Sequence, residues 1–236
     1  MDILYEDNHL LVVDKPAGLL VQGGDRATAD ADDHLVSRAS AWLKAKYDKP
    51  GNVYVGLVHR LDRNTSGVIV LAKTSKAAER LSSAFAGRAV DKTYLALVAG
   101  AAPERGALEH WLAPDGDGSI VVAAETAGAK RSALTYLRLA TGDGASLLSV
   151  RLETGRKHQI RAQLAAIGHP LIGDRRYAPH AVAVRATRTA LHAWSVTLDH
   201  PVRAERLTFV APLPLDFVEL LARVRIPVTA VPTIAR

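Results

Sequence analysis

Apolar residues recur along this chain in short runs at two different spacings. Residues 3–5 and 10–14 are β-type runs around the turn-like Glu6-Asp7-Asn8-His9. Lys15-Pro16-Ala17-Gly18 ends the second run, because Pro16 supplies no backbone donor and Gly18 permits a left-handed turn. Leu19-Leu20-Val21 resumes an extended course, and Gly23 to Asp33, rich in Gly, Asp and Ala, predicts a mobile acidic loop. From His34 to Tyr47 the spacing becomes helical, with Leu35, Ala39, Trp42 and Leu43 on one face. Lys49-Pro50-Gly51-Asn52 closes that helix.

Two further apolar runs, Val53–Val58 and Val68–Ala72, bracket the polar stretch His59-Arg60-Leu61-Asp62-Arg63-Asn64-Thr65-Ser66-Gly67. Thr74 or Ser75 then offers an N-cap to a helix carrying Ala77, Ala78, Leu81 and Phe85 and ending at Gly87. Val90 to Val98 has strand character, Gly100 to Gly106 is a turn-rich connection, and Pro114–Gly118 is a loop followed by Ile120-Val121-Val122. Residues 132–140 and 146–153 predict a hairpin about Thr141–Ala145. Its second strand turns Leu148, Val150 and Leu152 inward and Ser149, Arg151 and Glu153 to water. Thr154-Gly155-Arg156-Lys157 leads into a helix, His158 to Ile167, stopped by Gly168-His169-Pro170. Leu207–Val210 is a late strand, a short helix lies near Leu215–Leu221, and the Pro-rich end from Ile226 to Arg236 is expected to fray. Strands and helices interspersed without regular βαβ alternation point to an α+β fold. Its central sheet is expected to be mixed or mostly antiparallel, with helices and loops around a cleft, in a single domain over residues 1–236.

Charge sharpens this picture. The chain of 236 residues carries a formal net charge of +6, which favours an anionic partner. The distribution is uneven. Residues 1–58 hold nine acids and six Lys/Arg, whereas residues 126–191 hold eleven Lys/Arg and three acids, a net of +8. Clustered cations suit phosphate contacts. Cysteine is absent, so disulfides and cysteine-based zinc sites are excluded, and the nine histidines show no metal-ligand spacing. There is no Walker-type phosphate loop and no Gly-x-Ser-x-Gly elbow. The acidic N-terminus lacks a signal-peptide core and no apolar run is long enough to span a bilayer, so a cytoplasmic location is expected, without membrane contact. No association helix is evident, and a monomer is expected.

Asp62 is the residue with the most chemistry around it. Arg60, Arg63 and His59 flank it, and nearby positive charge favours the ionised carboxylate. Taken alone, an aspartate in such company is more often half of a structural ion pair than a catalyst. Arg161 follows Ile160 on the helix after Thr154–Lys157, at a position from which a guanidinium can reach a partly buried carboxylate such as Asp62. Tyr94 lies mid-strand, where it is either a core residue or a surface on which an extruded base stacks. A non-catalytic RNA-binding protein, and a carboxylate-dependent hydrolase of nucleosides or glycosides, remain open on these residues alone. The hydrolase is weakened because no second acid stands in a comparable motif.

Ordered motifs over nearly the whole chain resemble the RluA-type pseudouridine synthases. They are Ile3–Val21 with its Val-Val-Asp-Lys-Pro-Ala-Gly, His59–Gly67, Lys92-Thr93-Tyr94-Leu95-Ala96-Leu97-Val98, Thr154–Arg161 continuing to Gly168–Asp174, and Leu191-His192-Ala193. The resemblance implies isomerisation of uridine to pseudouridine in ribosomal or transfer RNA, with base flipping and without metal or organic cofactor. It implies Asp62 as the essential carboxylate, with Tyr94 and Arg161 also catalytic. On the substrate side it implies Arg60, Arg63, Thr65, Arg156, Lys157, Ile160 and Leu191. Two departures stand out. The opening motif stands at the start of the sequence, so the small N-terminal RNA-binding domain of many relatives is not expected. Lys157 also stands where Thr or Ser is common.

Overall fold

The computed structural model describes residues 1–23 and 33–233. The elements in chain order begin with β1 (Asp2–Glu6), β2 (Leu10–Lys15), α1 (Leu35–Lys46), β3 (Gly56–Leu57), β4 (Ser66–Ala72) and α2 (Ser75–Ala86). They continue with β5 (Asp91–Ala99), β6 (Arg105–Asp115), β7 (Gly118–Val122), β8 (Lys130–Gly142), β9 (Ala145–Leu152) and α3 (Gln159–Ala166). The last are α4 (His180–Ala183), β10 (Leu191–Asp199), β11 (Arg206–Val210) and α5 (Leu215–Arg223). The chain divides into two compact units, one of residues 1–91 with 195–212 and one of residues 92–194 with 213–236. The mix of sheet and helices is the expected α+β class.

In the first unit β1 pairs with β2 and β2 with β4, both antiparallel, and β3 adds to β4. The second half of β10 forms an antiparallel ribbon with β11. Leu10, Val12, Val68, Val70, Val196 and Leu198 share one core with Ala77 and Leu81 of α2. The helix ends follow side-chain chemistry. His34 accepts from Ser37 N while Ser37 Oγ accepts from His34 N, a reciprocal cap that starts α1. Thr74 Oγ1 accepts from Ala77 N at 3.2 Å and starts α2. At the end of α2 it is Arg88, not Gly87, that takes the left-handed backbone (φ 61°). The run Val53–Val58, apolar enough to suggest a longer strand, pairs only at Gly56–Leu57. The predicted acidic loop falls almost wholly on residues 24–32, outside the described residues.

In the second unit five strands lie in the order β5-β9-β8-β6-β7, each neighbouring pair antiparallel. The hairpin read from sequence is β8–β9, turning at Asp143-Gly144 with a register shift between Arg138 and Ala140. Two strands depart from the sequence expectation. Arg105–Asp115 is a single 11-residue strand where the sequence pattern predicts only a connection and a loop. Leu191–Asp199 is a nine-residue strand where only a three-residue motif was noted. β6 mixes Gly106, Glu109, His110 and Pro114 into a weakly apolar stretch, and register with β8 rather than local propensity makes it a strand. β10 is buried on both faces through Val196, so it lacks the alternation that marks a half-buried strand. The C-terminal stretch expected to fray holds on at its start: Ile226 is buried, its amide donates to Leu221 O, and Val228–Ala230 forms a 3-10 turn. Residues 234–236 lie outside the described residues.

The β1–β2 ladder carries a charge conflict. Asp14 stands opposite Asp2 in register. Burial pushes the Asp14 carboxyl up to about 6, and the Asp2 carboxylate pushes it the same way. A carboxyl whose folded value exceeds its unfolded value favours the native state most when protonated. Stability from this site is therefore fully present below about pH 4, the unfolded value, and lost as pH rises through about 6. Replacing Asp14 with Asn is expected to raise the melting temperature above pH 6 and to leave it nearly unchanged near pH 4. A gap between variant and wild type that stays constant from pH 4 to 8 would contradict this origin.

Candidate active site

In the first unit the sequence around Asp62 forms the connection between β3 and β4. Thr65 N donates to Asp62 O at 3.0 Å, closing a four-residue turn that presents the half-buried Asp62 ahead of exposed Arg63 and Asn64. The turn is tied to the end of β2. Lys15 is fully buried, and its ammonium donates to the carbonyls of Pro16 (2.9 Å), Leu19 (2.9 Å) and Arg63 (3.0 Å). Arg63 Nε donates to Gly18 O and Gly18 N to Arg63 O, each at 2.8 Å. Gly18 takes φ +88°, which a residue with a Cβ adopts only under strain. The Lys-Pro-Ala-Gly segment is thus a brace for the Asp62 turn.

His59 departs from the expectation that it adds positive charge beside Asp62. Its Nε2 accepts from Val70 N at 2.9 Å and its ring stacks on Phe85 of α2 at 4.3 Å. A nitrogen that accepts carries no proton, so Nε2 of His59 serves as a side-chain acceptor for a β4 amide. Arg60 is exposed, whereas Thr65 is buried with its amide in the turn.

The second unit holds the other predicted residues. Tyr94 is buried in β5 opposite Val150 of β9. Ile160 is buried in α3, and Leu191 is buried at the start of β10. Arg156 and Lys157 are exposed just before α3. The turn there is built by Gln159, whose amide side chain is 2% exposed. Its Oε1 accepts from Thr154 Oγ1 (2.8 Å) and Arg156 N (3.0 Å), while Nε2 donates to Ala133 O (3.0 Å). His158 then takes a left-handed backbone (φ 54°) before the helix starts.

Arg161 points to a carboxylate that sequence alone did not single out. Its Nε donates to Asp174 Oδ2 at 2.7 Å and its Nη2 to Asp174 Oδ1 at 2.8 Å, a bidentate pair with Asp174 wholly buried. Burial pushes the Asp174 carboxyl up. The hydrogen bonds and charge of Arg161, with the amides of Arg176 and Tyr177, outweigh this and hold it below the usual carboxylate range. The guanidinium also lies over the Tyr177 ring at 5.0 Å. Tyr177 Oη is fixed by Ser119 N and O and by His158 Nδ1 at 2.9–3.0 Å. Gly173, before Asp174, is required: φ is +78° and a Cβ would stand 1.9 Å from Arg188 O. Among the described residues, no three or more His, Asp or Glu side chains cluster as metal ligands, and no helix is long and apolar enough to cross a membrane.

A family model described as RNA pseudouridylate synthase matches residues 9–166. The chain belongs to that family. A curated relative, ribosomal large subunit pseudouridine synthase D of Zymomonas mobilis, is 36% identical over 92% of this chain and 70% of its own length. The protein of that name from Pseudomonas aeruginosa is 35% identical over 95% of this chain and 72% of its own. Among solved structures, human RNA pseudouridylate synthase domain containing 4 matches with a TM-score of 0.78 and 25% identity, over 96% of this chain and 94% of that one. The fold is that of a pseudouridine synthase, and the chain is an RNA pseudouridine synthase, an isomerase acting on uridine in RNA.

Two replacements test the supports of this synthase. Lys15→Met leaves three carbonyls without their shared donor and is expected to cost about 2–4 kcal/mol in denaturant unfolding; a cost under about 1 kcal/mol would mean that water or another donor takes over the role. Asp174→Asn is expected to cost about 3 kcal/mol at pH 7, as breaking a buried pair does. A depressed carboxylate contributes stability above the unfolded value near 4 and loses it as pH falls through the folded one. The variant and wild type are therefore expected to converge on acidification, and a gap unchanged down to pH 2 would contradict the pairing.

Proposed function

We propose that this synthase modifies ribosomal RNA in the cytoplasm as a monomer, with Asp62 as its catalytic carboxylate and Tyr94 and Arg161 serving the same reaction. The braced Asp62 turn carries the reading, because a half-buried carboxylate held by backbone contacts on either side is what a positioned catalyst requires. The names of the relatives from Zymomonas mobilis and Pseudomonas aeruginosa support ribosomal over transfer RNA. Both units carry residues of this assignment, and the chain works as one catalytic domain.

The isomerisation breaks the bond between ribose C1′ and uracil N1, turns the base and joins C1′ to C5. The C5 proton leaves and N1 gains one, so no redox partner is needed. The Asp62 carboxylate serves as nucleophile towards the sugar or the base, or as the base of an elimination at the ribose; each route uses its ionised form. Tyr94 in its strand offers a wall for the detached base and a hydroxyl within the range of proton-transfer chemistry. Arg161 already gives two of its five N–H donors to Asp174, and the remainder serve the reaction centre. Arg60, exposed beside Asp62, enters the RNA where the uridine leaves the stack. Arg63, Thr65, Arg156, Lys157, Ile160 and Leu191 complete the substrate side, the buried ones by shaping it.

Asp62→Asn is expected to lower pseudouridine formation in a large-subunit ribosomal RNA transcript by about a thousandfold or more, with RNA affinity within about threefold of wild type. Pseudouridine mapping and a binding titration check both. Retained turnover would remove Asp62 from the chemistry, and a wild type active only on transfer RNA would replace the substrate.

A further inference from the structure

We propose that lysines and aromatic rings at the C-terminal end of α1 form a second RNA-binding surface, using none of the residues assigned to the reaction. The inference rests on the reading that the substrate is a structured ribosomal RNA, of which a segment beyond the target uridine would dock here.

The surface comprises residues 42–54, within the acidic residues 1–58, together with Lys73 beyond them. Lys46 Nζ sits 4.7 Å from the Trp42 ring centroid and 5.5 Å from that of Tyr47. Lys73 and Lys49 lie 5.0 and 5.8 Å from the Tyr47 ring. One carboxylate organises the group. Glu6, whose side chain is only 8% exposed, accepts from Lys46, from Lys73 at 2.6 Å and from Tyr47 Oη at 2.7 Å. Lys44 and Lys49 extend the cluster on the exposed side. Tyr54 flanks α1 further back, where Ser40 Oγ donates to Val53 O at 3.0 Å, with its hydroxyl beside Gly56. Tyr47 is 47% and Tyr54 50% exposed, which leaves two large rings open to a partner rather than in the core.

Isolated surface tyrosines need no explanation. Exposed rings beside the three exposed ammonium groups of Lys44, Lys46 and Lys49 are a different matter, because they combine the two contacts a nucleic-acid strand offers. Phosphates take the lysines and base faces take the rings. Cations already held against aromatic faces by a buried carboxylate lose less side-chain entropy on binding than free lysines do. A membrane surface fits less well, since among the described residues 42–54 the exposed large hydrophobic side chains are Tyr47 and Tyr54 alone, and an acidic protein would make no use of stacking.

The test compares wild type with a Lys46→Gln/Lys49→Gln/Tyr54→Ala variant by fluorescence anisotropy on a labelled ribosomal RNA transcript over a salt series. Pseudouridine yield and melting temperature are measured alongside. Expected are an unchanged fold, a Kd raised about tenfold, a log Kd–log salt slope shallower by about 1.5 for the two cations removed, and an unchanged rate at saturating RNA. An unchanged Kd and slope overturn the surface while pseudouridine formation by wild type still upholds the substrate. Normal naked-RNA binding with impaired modification of assembled ribosomal particles overturns it in favour of a protein contact. A wild type that makes no pseudouridine in this transcript overturns the ribosomal reading, and the affinity comparison still decides the surface. A variant that melts early is replaced by Lys49→Gln/Tyr54→Ala, which spares the Glu6 contacts, with about half the slope change expected.

Discussion

One buried ammonium sets the terms for the first unit. Lys15 has no exposed surface, and a charge brought out of water must be met by dipoles or charges in the fold. Three carbonyls meet it, from Pro16, Leu19 and Arg63, segments separated by up to 48 positions in the chain. Lysine is suited to this because its three rotatable donors can converge on acceptors that share no plane. The consequence reaches Asp62: the carbonyl of its neighbour is pinned, Thr65 closes the turn behind it, and β4 begins at once in a wholly buried strand. The carboxylate is positioned by the backbone on either side of it.

Arginine does the corresponding work in the second unit, with a different geometry. Asp174 is wholly buried and receives a planar fork from Arg161 and two backbone amides on one oxygen. Its lone pairs are nearly all spoken for, which is the condition under which a buried pair is stable rather than costly. Tyr177 covers the guanidinium and is itself fixed by both backbone groups of Ser119 on β7. The short helix α3 is thereby anchored through its side chains, and its left-handed N-cap residue, His158, is held through the same tyrosine.

Much of this was legible in the sequence where local signals were strong. The cap at Thr74, the hairpin about Asp143-Gly144 and the stop after Ile167 all follow from short-range chemistry, and so does the loop that bears Asp62. What escaped depends on distant partners. β6 is a strand because β8 lies beside it, and β10 is buried on both faces and so shows no period of two. Lys15 reads as the polar end of an apolar run, since nothing in Leu-Val-Val-Asp-Lys says that the Arg63 carbonyl, 48 residues away, is waiting. Asp174 was visible inside a motif but not as the partner of Arg161, because the rest of α3 and the loop after it separate them. His59 misled for the opposite reason: its neighbours in sequence are cationic, while its partner in space is a backbone amide.

Formal charge is a weaker guide to RNA contact than it first looks. The region 126–191 carries a net of +8, yet Arg131 bridges Glu109 and Glu153, Arg161 pairs with Asp174, Arg176 with Asp115 and Arg188 with Asp216. Three of those carboxylate partners, Glu109, Asp115 and Asp216, lie outside the region, so counting within it overstates what faces solvent. Conversely, the acidic first 58 residues carry exposed Lys44, Lys46 and Lys49, and two of their carboxylates are engaged: Glu6 is buried beneath the lysines, and Asp7 is occupied by His200 and Arg203. A phosphate responds to the cations that reach water in a fixed array, not to the sum over a segment. On that criterion the described residues offer solvent-facing cations in both units, at Arg156 and Lys157 before α3 and at Lys44, Lys46 and Lys49 at and just beyond the end of α1.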